Sequence, residues 1–218
     1  MKLFNSDCLA AMKEMPDKCY ELAIVDPPYG LGDRLTDGGQ RKNLMLKYKT
    51  SYEQKRWDVA PDNLYFEELR RVSVNQIIWG GNYFPLPPTR CVLCWDKNNK
   101  LTTMSEWEMA WTSFDRPAKM FSFRSVDEDR FHPTQKPVKL YEWLLKNYAK
   151  PGDKILDTHL GSGSSAIAAY NLGYDFTGYE IDKDYFDAAQ KRIQHHIAHE
   201  ETGFGIKHVT KDSRVGII

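Results

Sequence analysis

Residues 154–180 constrain this chain more than any other stretch. Lys154-Ile155-Leu156-Asp157 reads as a buried strand, Gly161-Ser162-Gly163 as a tight turn, and 164–172 as a helix stopped by Gly173. Asp175-Phe176-Thr177-Gly178-Tyr179 reads as a returning strand, closed by Glu180. A strand, a glycine turn, a helix and a second strand make a βαβ unit, and that unit commits the sheet to parallel pairing. Ligands of such sheets sit beyond the carboxyl ends of the strands. Asp157 and Glu180 both fall there. The glycines let the backbone approach a ligand closely, and the helix N-terminus offers free N–H groups. Glu180 is placed to accept both hydroxyls of a ribose. The unit therefore reads as an adenosine half-site built from Asp157, Leu160, Gly161, Ser162, Gly163, Ser164, Glu180 and Ile181. Gly161-x-Gly163-x-x-Ala166 also satisfies the dinucleotide fingerprint of NAD-dependent oxidoreductases, and a bare turn would look similar. Asp157, directly after the strand, tips the reading towards S-adenosylmethionine. A carboxylate there suits an ammonium and a sulfonium and is awkward beside a pyrophosphate.

The rest of the chain alternates strands with helices. Strands are predicted at 2–5, 20–25, 76–79, 91–95 and 107–111 (or to 114), and helices at 9–14, 62–72, 140–148 and 183–196. This pattern predicts an α/β domain with a mostly parallel sheet and helices on both faces. Its 218 residues, 41% of them apolar, suit a single domain over 1–218. No apolar run approaches the roughly eighteen residues of a membrane span. Met1-Lys2-Leu3-Phe4-Asn5-Ser6-Asp7 lacks a secretory apolar core. A cytoplasmic protein without a membrane partner is expected. Cys91-Val92-Leu93-Cys94 has metal-ligand spacing but lies in an apolar run with no second pair, so no metal is expected.

The formal net charge is zero, yet it is unevenly spread. Arg34, Arg41, Lys42, Lys47, Lys49, Lys55 and Arg56 outnumber Asp37 and Glu53 in a polar stretch without helical or strand period. Residues 30–60 are therefore expected to form a long mobile loop whose basic side chains contact nucleic-acid phosphates.

Asp26-Pro27-Pro28-Tyr29 follows the apolar strand 20–25. Two prolines fix φ and donate no backbone hydrogen bonds, which leaves the Pro27 carbonyl free to accept one. Asp26 adds a carboxylate and Tyr29 an aromatic face. Two acceptors and a stacking ring form a receptor for a planar group bearing –NH2, such as the amino edge of adenine or cytosine. A rigid turn at a strand end is the plainer alternative.

These motifs together resemble the amino-methylating DNA methyltransferases, in which Asp-Pro-Pro-Tyr is the catalytic motif. His132-Pro133-Thr134-Gln135-Lys136-Pro137 resembles the segment that precedes their cofactor loop. Asn5-Ser6-Asp7-Cys8 resembles their N-terminal element, and Gly178-Tyr179-Glu180-Ile181-Asp182 their ribose-binding segment. The catalytic motif precedes the cofactor motif, as in the family's β group. The resemblance implies a circularly permuted, Rossmann-like methyltransferase fold and S-adenosyl-L-methionine as cofactor. It implies catalysis by Asp26, Pro27, Pro28 and Tyr29 on a flipped-out base. It adds Asp7, Cys8, Asp26, His132, Thr134, Gln135 and Lys136 to the cofactor contacts. The leading Asp26 favours the 6-amino group of adenine over the 4-amino group of cytosine. One departure stands out: His159 replaces a Phe usual in the family, and ring packing is expected of it rather than titration. Target recognition is expected from 30–60, from a small region at 85–131, or from a homodimer mate or specificity subunit. Competing readings are an NAD-type oxidoreductase, methylation of RNA or a protein amide, and a non-catalytic nucleic-acid-binding subunit.

Overall fold

The computed structural model describes residues 1–30, 59–98, 105–124 and 135–202. Arg34, Arg41, Lys42, Lys47, Lys49, Lys55, Arg56, His132 and Thr134, expected to contact DNA or cofactor, lie outside the described residues. The described chain runs β1 (Lys2–Phe4), α1 (Cys8–Lys13), β2 (Tyr20–Val25), α2 (Asn63–Val72) and β3 (Ser73–Trp79), then a short 3-10 turn (Gly81–Tyr83). It continues with β4 (Leu93–Asp96), β5 (Trp107–Thr112), β6 (Lys119–Ser122), α3 (Val138–Tyr148), β7 (Lys154–Asp157), α4 (Ser164–Leu172), β8 (Asp175–Tyr179) and α5 (Lys183–Glu201).

The strands form one sheet in the order β1-β8-β7-β2-β3-β5-β4-β6. β1, β8, β7, β2 and β3 pair in parallel; β5 runs antiparallel to both β3 and β4, and β6 pairs parallel to β4. This is the α/β, mostly parallel sheet the alternation predicts. β7 and β2 lie side by side, with Leu22 opposite Ile155 and Ala23 opposite Leu156. Two motifs far apart in sequence, at 26–29 and 157–164, thereby leave neighbouring strands at the same edge of the sheet.

The period-2 alternation of strand side chains sorts the core into two layers. Leu22, Ile24, Ile77, Trp79 and Ile155 pack with α3, α4 and α5 through Leu140, Leu144, Ala168, Ala189 and Ile193. Ala23, Val25, Ile78 and Leu156 pack on the opposite face with Met12 of α1 and Tyr65, Phe66, Leu69 and Val72 of α2. The caps follow the sequence: Asp7, Asp62 and Asp182 accept from backbone N–H groups at the starts of α1, α2 and α5.

Three elements differ most from the sequence expectation. β3 starts at Ser73 rather than near 76, because Ser73 and Asn75, though polar, pair with Tyr20 and Leu22 of β2. α5 runs on past 196 to Glu201. β6, Lys119–Ser122, is an edge strand with mostly exposed side chains and little apolar alternation to announce it. Much of the 85–131 region is woven into the main sheet as β4, β5 and β6.

Candidate active site

The carboxyl ends of β2 and β7 open into one cleft of about 900 Å3, its solvent-facing mouth included. Asp26, Pro27, Pro28 and Tyr29 line one side; Leu160, Gly161, Ser162, Ser164, Glu180 and Ile181 line the other. Gln135, Lys136, Tyr141 and His159 also reach it. The structure thus brings together the two motifs of the sequence and the described end of the 132–137 segment.

Asp26 is held from two directions. Tyr29 donates its hydroxyl to Asp26 Oδ1 at 2.8 Å. Lys136 Nζ donates to Asp26 Oδ2 at 2.5 Å. Lys136 is almost fully buried, with 2% of its side chain exposed against 15% for Asp26. Its ammonium also lies 3.0 Å from Glu108 Oε2 on β5 and 5.3 Å from the centre of the Trp79 ring. Glu108 is paired in turn with Lys97 at 2.5 Å. Burial pushes the Asp26 carboxyl up, opposed chiefly by the Lys136 ammonium. Burial pushes the Lys136 ammonium down, but Asp26 and Glu108 outweigh it and leave the group raised. Burial also pushes the Glu108 carboxyl up, yet Lys136 and Lys97 outweigh it and hold it at about 2.

Tyr29 is positioned by close backbone approach. Its ring stacks on Tyr83 at 4.9 Å between centroids and meets Phe84 edge-on. Gly80 has φ of 67°, and a Cβ there would lie 2.2 Å from the Tyr29 ring. A Cβ on Gly81 would lie 2.4 Å from the Trp111 Cβ. Trp79-Gly80-Gly81-Asn82-Tyr83-Phe84 is therefore the seat of the Tyr29 ring.

The two carboxylates of the cofactor-like half are satisfied by neutral donors. Asp157 is 2% exposed. Its Oδ1 accepts from the His159 backbone N–H at 2.9 Å, and its Oδ2 from the Ser165 hydroxyl at 2.5 Å. Burial pushes its carboxyl up to about 7, with Asp26 and Glu180 adding to the rise. Glu180 accepts from the Gly161 N–H at 2.9 Å and the Asp182 N–H at 3.0 Å, one on each oxygen. Gly163 sits at φ of 77° where a Cβ would press on Ile193, so glycine lets α5 close on the loop. Arg192 of α5 donates to the Ser162 carbonyl and the Ser164 hydroxyl, both at 2.9 Å.

His159 packs edge-on against Tyr65, and its Nδ1 lies 3.0 Å from the Thr158 hydroxyl. Burial pushes the imidazole down to about 4, so it is neutral at physiological pH. Asp7 caps α1 through the Leu9 N–H, and burial pushes the adjacent Cys8 thiol up to about 12. Asn5 binds the carbonyls of Glu180 and Ile181, which ties the N-terminal element to the end of β8. Glu108, Lys97 and Arg192 carry no local motif and escape a reading of the sequence. Their signal is long-range pairing, which spacing along the chain does not encode.

Residues 95–191 match the family described as DNA methylase (N6/N4 Mtase), a segment that includes β7, the glycine loop and β8 and leaves 26–29 outside it. The chain is 24% identical to type II methyltransferase M.BglII from Bacillus subtilis, over 86% of this chain and 67% of that protein. It is likewise 24% identical to type II methyltransferase M.HinfI from Haemophilus influenzae, over 88% and 68%. Among solved structures, the M1.HpyAVI–SAM complex superposes with a TM-score of 0.54 at 20% identity, covering 88% of this chain and 98% of the other. The cytosine-N4-specific PvuII DNA methyltransferase superposes with a TM-score of 0.58 at 14% identity, covering 92% of each.

Proposed function

We propose that this chain, kin to the amino-methylating DNA methyltransferases by its family segment and its curated relatives, transfers a methyl group from S-adenosyl-L-methionine to the 6-amino group of adenine in DNA. One observation carries the reading: a single cleft joins the Asp26–Tyr29 amino receptor to the Gly161–Glu180 adenosine half-site.

The residues present fit the cofactor. Asp157 is a buried carboxylate with only neutral donors among the described residues, a natural seat for a cationic amino acid. Each Glu180 oxygen spends one lone pair on a backbone N–H and keeps another for a ribose hydroxyl. When bound, S-adenosylmethionine supplies an electrophilic methyl on a sulfonium. Every other requirement falls on the chain itself.

A base amino group is a poor nucleophile because its lone pair is delocalised into the ring. Both Asp26 oxygens already accept one hydrogen bond each, and a carboxylate oxygen has room for a second. Asp26 and the Pro27 carbonyl are proposed to take the two amino N–H bonds, draw the nitrogen towards sp3 geometry and free its lone pair. Alignment in the cleft then supplies much of the acceleration. Asp26 or water accepts the proton after transfer. A base inside a duplex cannot reach this cleft, so the target nucleotide must flip out, at a cost of about a few kcal/mol. Tyr29, already stacked on Tyr83, would extend that aromatic stack to the base.

A second reading, the 4-amino group of cytosine, draws support from the shared fold of the cytosine-N4-specific PvuII enzyme. The two amino groups present the same pair of N–H bonds to the same two acceptors. Incubating DNA with the protein and methyl-labelled cofactor, then identifying the labelled nucleoside, separates them. N6-methyladenine is expected. Label in 4-methylcytosine alone would overturn the adenine assignment, and no label in DNA would overturn the whole reading. Target recognition is proposed for the basic residues of 30–60 and for 85–131, alone or with a second copy or partner subunit.

A further inference from the structure

Asp26 belongs to a chain of four alternating charges that reaches well beyond the cleft. From Asp26 the contacts run to Lys136, then Glu108, then Lys97. The four groups come from four places: the end of β2, the residue pair before α3, the start of β5 and the residue after β4. All are substantially buried, with side chains 2–25% exposed. Glu108 Oε2 is buried and makes no hydrogen bond among the described residues. Its 3.0 Å approach to Lys136 is an ion pair longer than the one between Lys136 and Asp26. Lys136 is held more closely by Asp26, at 2.5 Å, and is drawn back by Glu108 at 3.0 Å.

That asymmetry matters for an acceptor. A buried carboxylate facing a buried ammonium and nothing else forms a tight neutral pair and becomes a weak acceptor. A second carboxylate behind the ammonium divides its attraction and restores acceptor strength. A further ammonium behind that one limits the effect. We propose that Glu108 and Lys97 are positioning residues that set the acceptor strength of Asp26 by competing for, and releasing, the Lys136 ammonium. The proposal deepens the amino-acceptor reading of Asp26 and rests on it for its consequence in catalysis.

Other groups also face Asp26: Tyr29 from its own loop, Tyr65 from α2, Tyr141 from α3 and Asp157 from β7. The tyrosines are held neutral by burial, which pushes each of them upward. Asp157 is left unchanged by the variants below.

The charge alternation predicts opposite effects from two neighbours. Glu108→Gln frees Lys136 for Asp26, so the Asp26 titration moves to lower pH. Lys97→Met frees Glu108 for Lys136, so the Asp26 titration moves to higher pH. Each shift is expected to be roughly one pH unit. The double variant removes one charge of each sign and returns the titration towards that of the unaltered protein. The experiment is 13C NMR of full-length protein labelled at the aspartate carboxyl carbon, with Asp26→Asn to assign the signal. Shifts of opposite sign, with partial cancellation in the double variant, support the proposal. Shifts of the same sign, or none, overturn it; general loosening of the site would move both variants alike. If Glu108→Gln does not fold, Lys97→Met and the double variant still give the sign. Single-turnover transfer adds the catalytic arm. Glu108→Gln should slow it about tenfold at unchanged cofactor affinity, with Glu108→Asp recovering part of the loss. If the unaltered protein puts no label into DNA while the NMR shifts hold, the DNA reading fails and the charge relay stands.

Discussion

Asp26 and Asp157 end neighbouring parallel strands; Asp26 is partly buried and lines the cleft, Asp157 is buried just before the cleft-lining His159 and Leu160 in sequence, and their surroundings differ in kind. Asp26 faces an ammonium and a phenol. Asp157 faces a backbone N–H and a serine hydroxyl, with no cation among the described residues. A buried carboxylate without a counter-ion gives up its charge, and Asp157 is accordingly pushed up to about 7 by burial. The contrast separates two tasks. Asp26 has its neutralising charge built into the chain, which suits the acceptor role proposed for it. On the proposed reading, Asp157 takes its counter-charge from a cationic ligand.

The largest expected effect is on transfer. Asp26→Ala removes the acceptor, and single-turnover methylation should fall by about three orders of magnitude or more. Transfer at a rate near that of the unaltered protein would place the chemistry elsewhere. Next comes stability. Lys136→Met leaves Asp26 and Glu108 buried without their shared cation, and should cost about 3–5 kcal/mol in a denaturant melt. Asp157→Asn removes no ion pair and should be nearly neutral there. Equal losses in the two variants would erase the distinction between the carboxylates.

A pH profile sharpens it further. Asp157 is raised above its unfolded value, so the folded state holds the proton between roughly pH 4 and 7. The unfolded chain releases that proton while the folded chain keeps it, so stability falls as pH rises through that window and levels off above it. Binding of a cationic ligand does the reverse and favours the ionised form. Affinity for S-adenosylmethionine should rise about tenfold per unit up to near pH 7 and then level off. A flat profile from pH 5 to 8 would show that Asp157 is already ionised.

Two smaller tests concern the frame. Gly80→Ala puts a Cβ into the Tyr29 ring at a positive φ. It should cost about 1–2 kcal/mol and slow transfer more than it weakens cofactor binding. An unchanged transfer rate would show that the Tyr29 stack is not needed. His159→Phe keeps the ring against Tyr65 and loses the contact with Thr158. A change of about 1 kcal/mol or less is expected, with no new pH dependence. A larger loss of cofactor affinity would give the imidazole a polar role that its neutral, packed state does not suggest.

The same two regions show what a sequence can disclose. The Asp157 half is local: strand, turn, helix and strand follow one another, and both hydrogen-bond donors to Asp157 among the described residues lie within 157–165. Glycine turn chemistry and apolar period are enough to read it. The Asp26 half is assembled across the sheet. Lys136 is 110 positions away in the chain, and Glu108 and Lys97 belong to the antiparallel hairpin of β4 and β5. Lys136 is legible as a residue near the site, since its segment resembles one in a known family, but its bond to Asp26 is not. Glu108 sits among Trp107, Met109, Ala110 and Trp111 like any polar residue in a strand, and only the pairing of β5 with β3 brings it to Lys136. His159 stands where the family the motifs resemble usually has Phe, so ring packing is expected of it, and it packs against Tyr65.

The most direct test of the division between the two carboxylates is calorimetric titration of S-adenosylmethionine, near pH 7.5, into the unaltered protein, Asp26→Ala and Asp157→Asn. Asp26→Ala should bind within about threefold of the unaltered protein, and Asp157→Asn should bind about tenfold or more weakly. Strong loss in Asp26→Ala with normal binding in Asp157→Asn would contradict the assignment of cation reception to Asp157 and of the amino acceptor to Asp26.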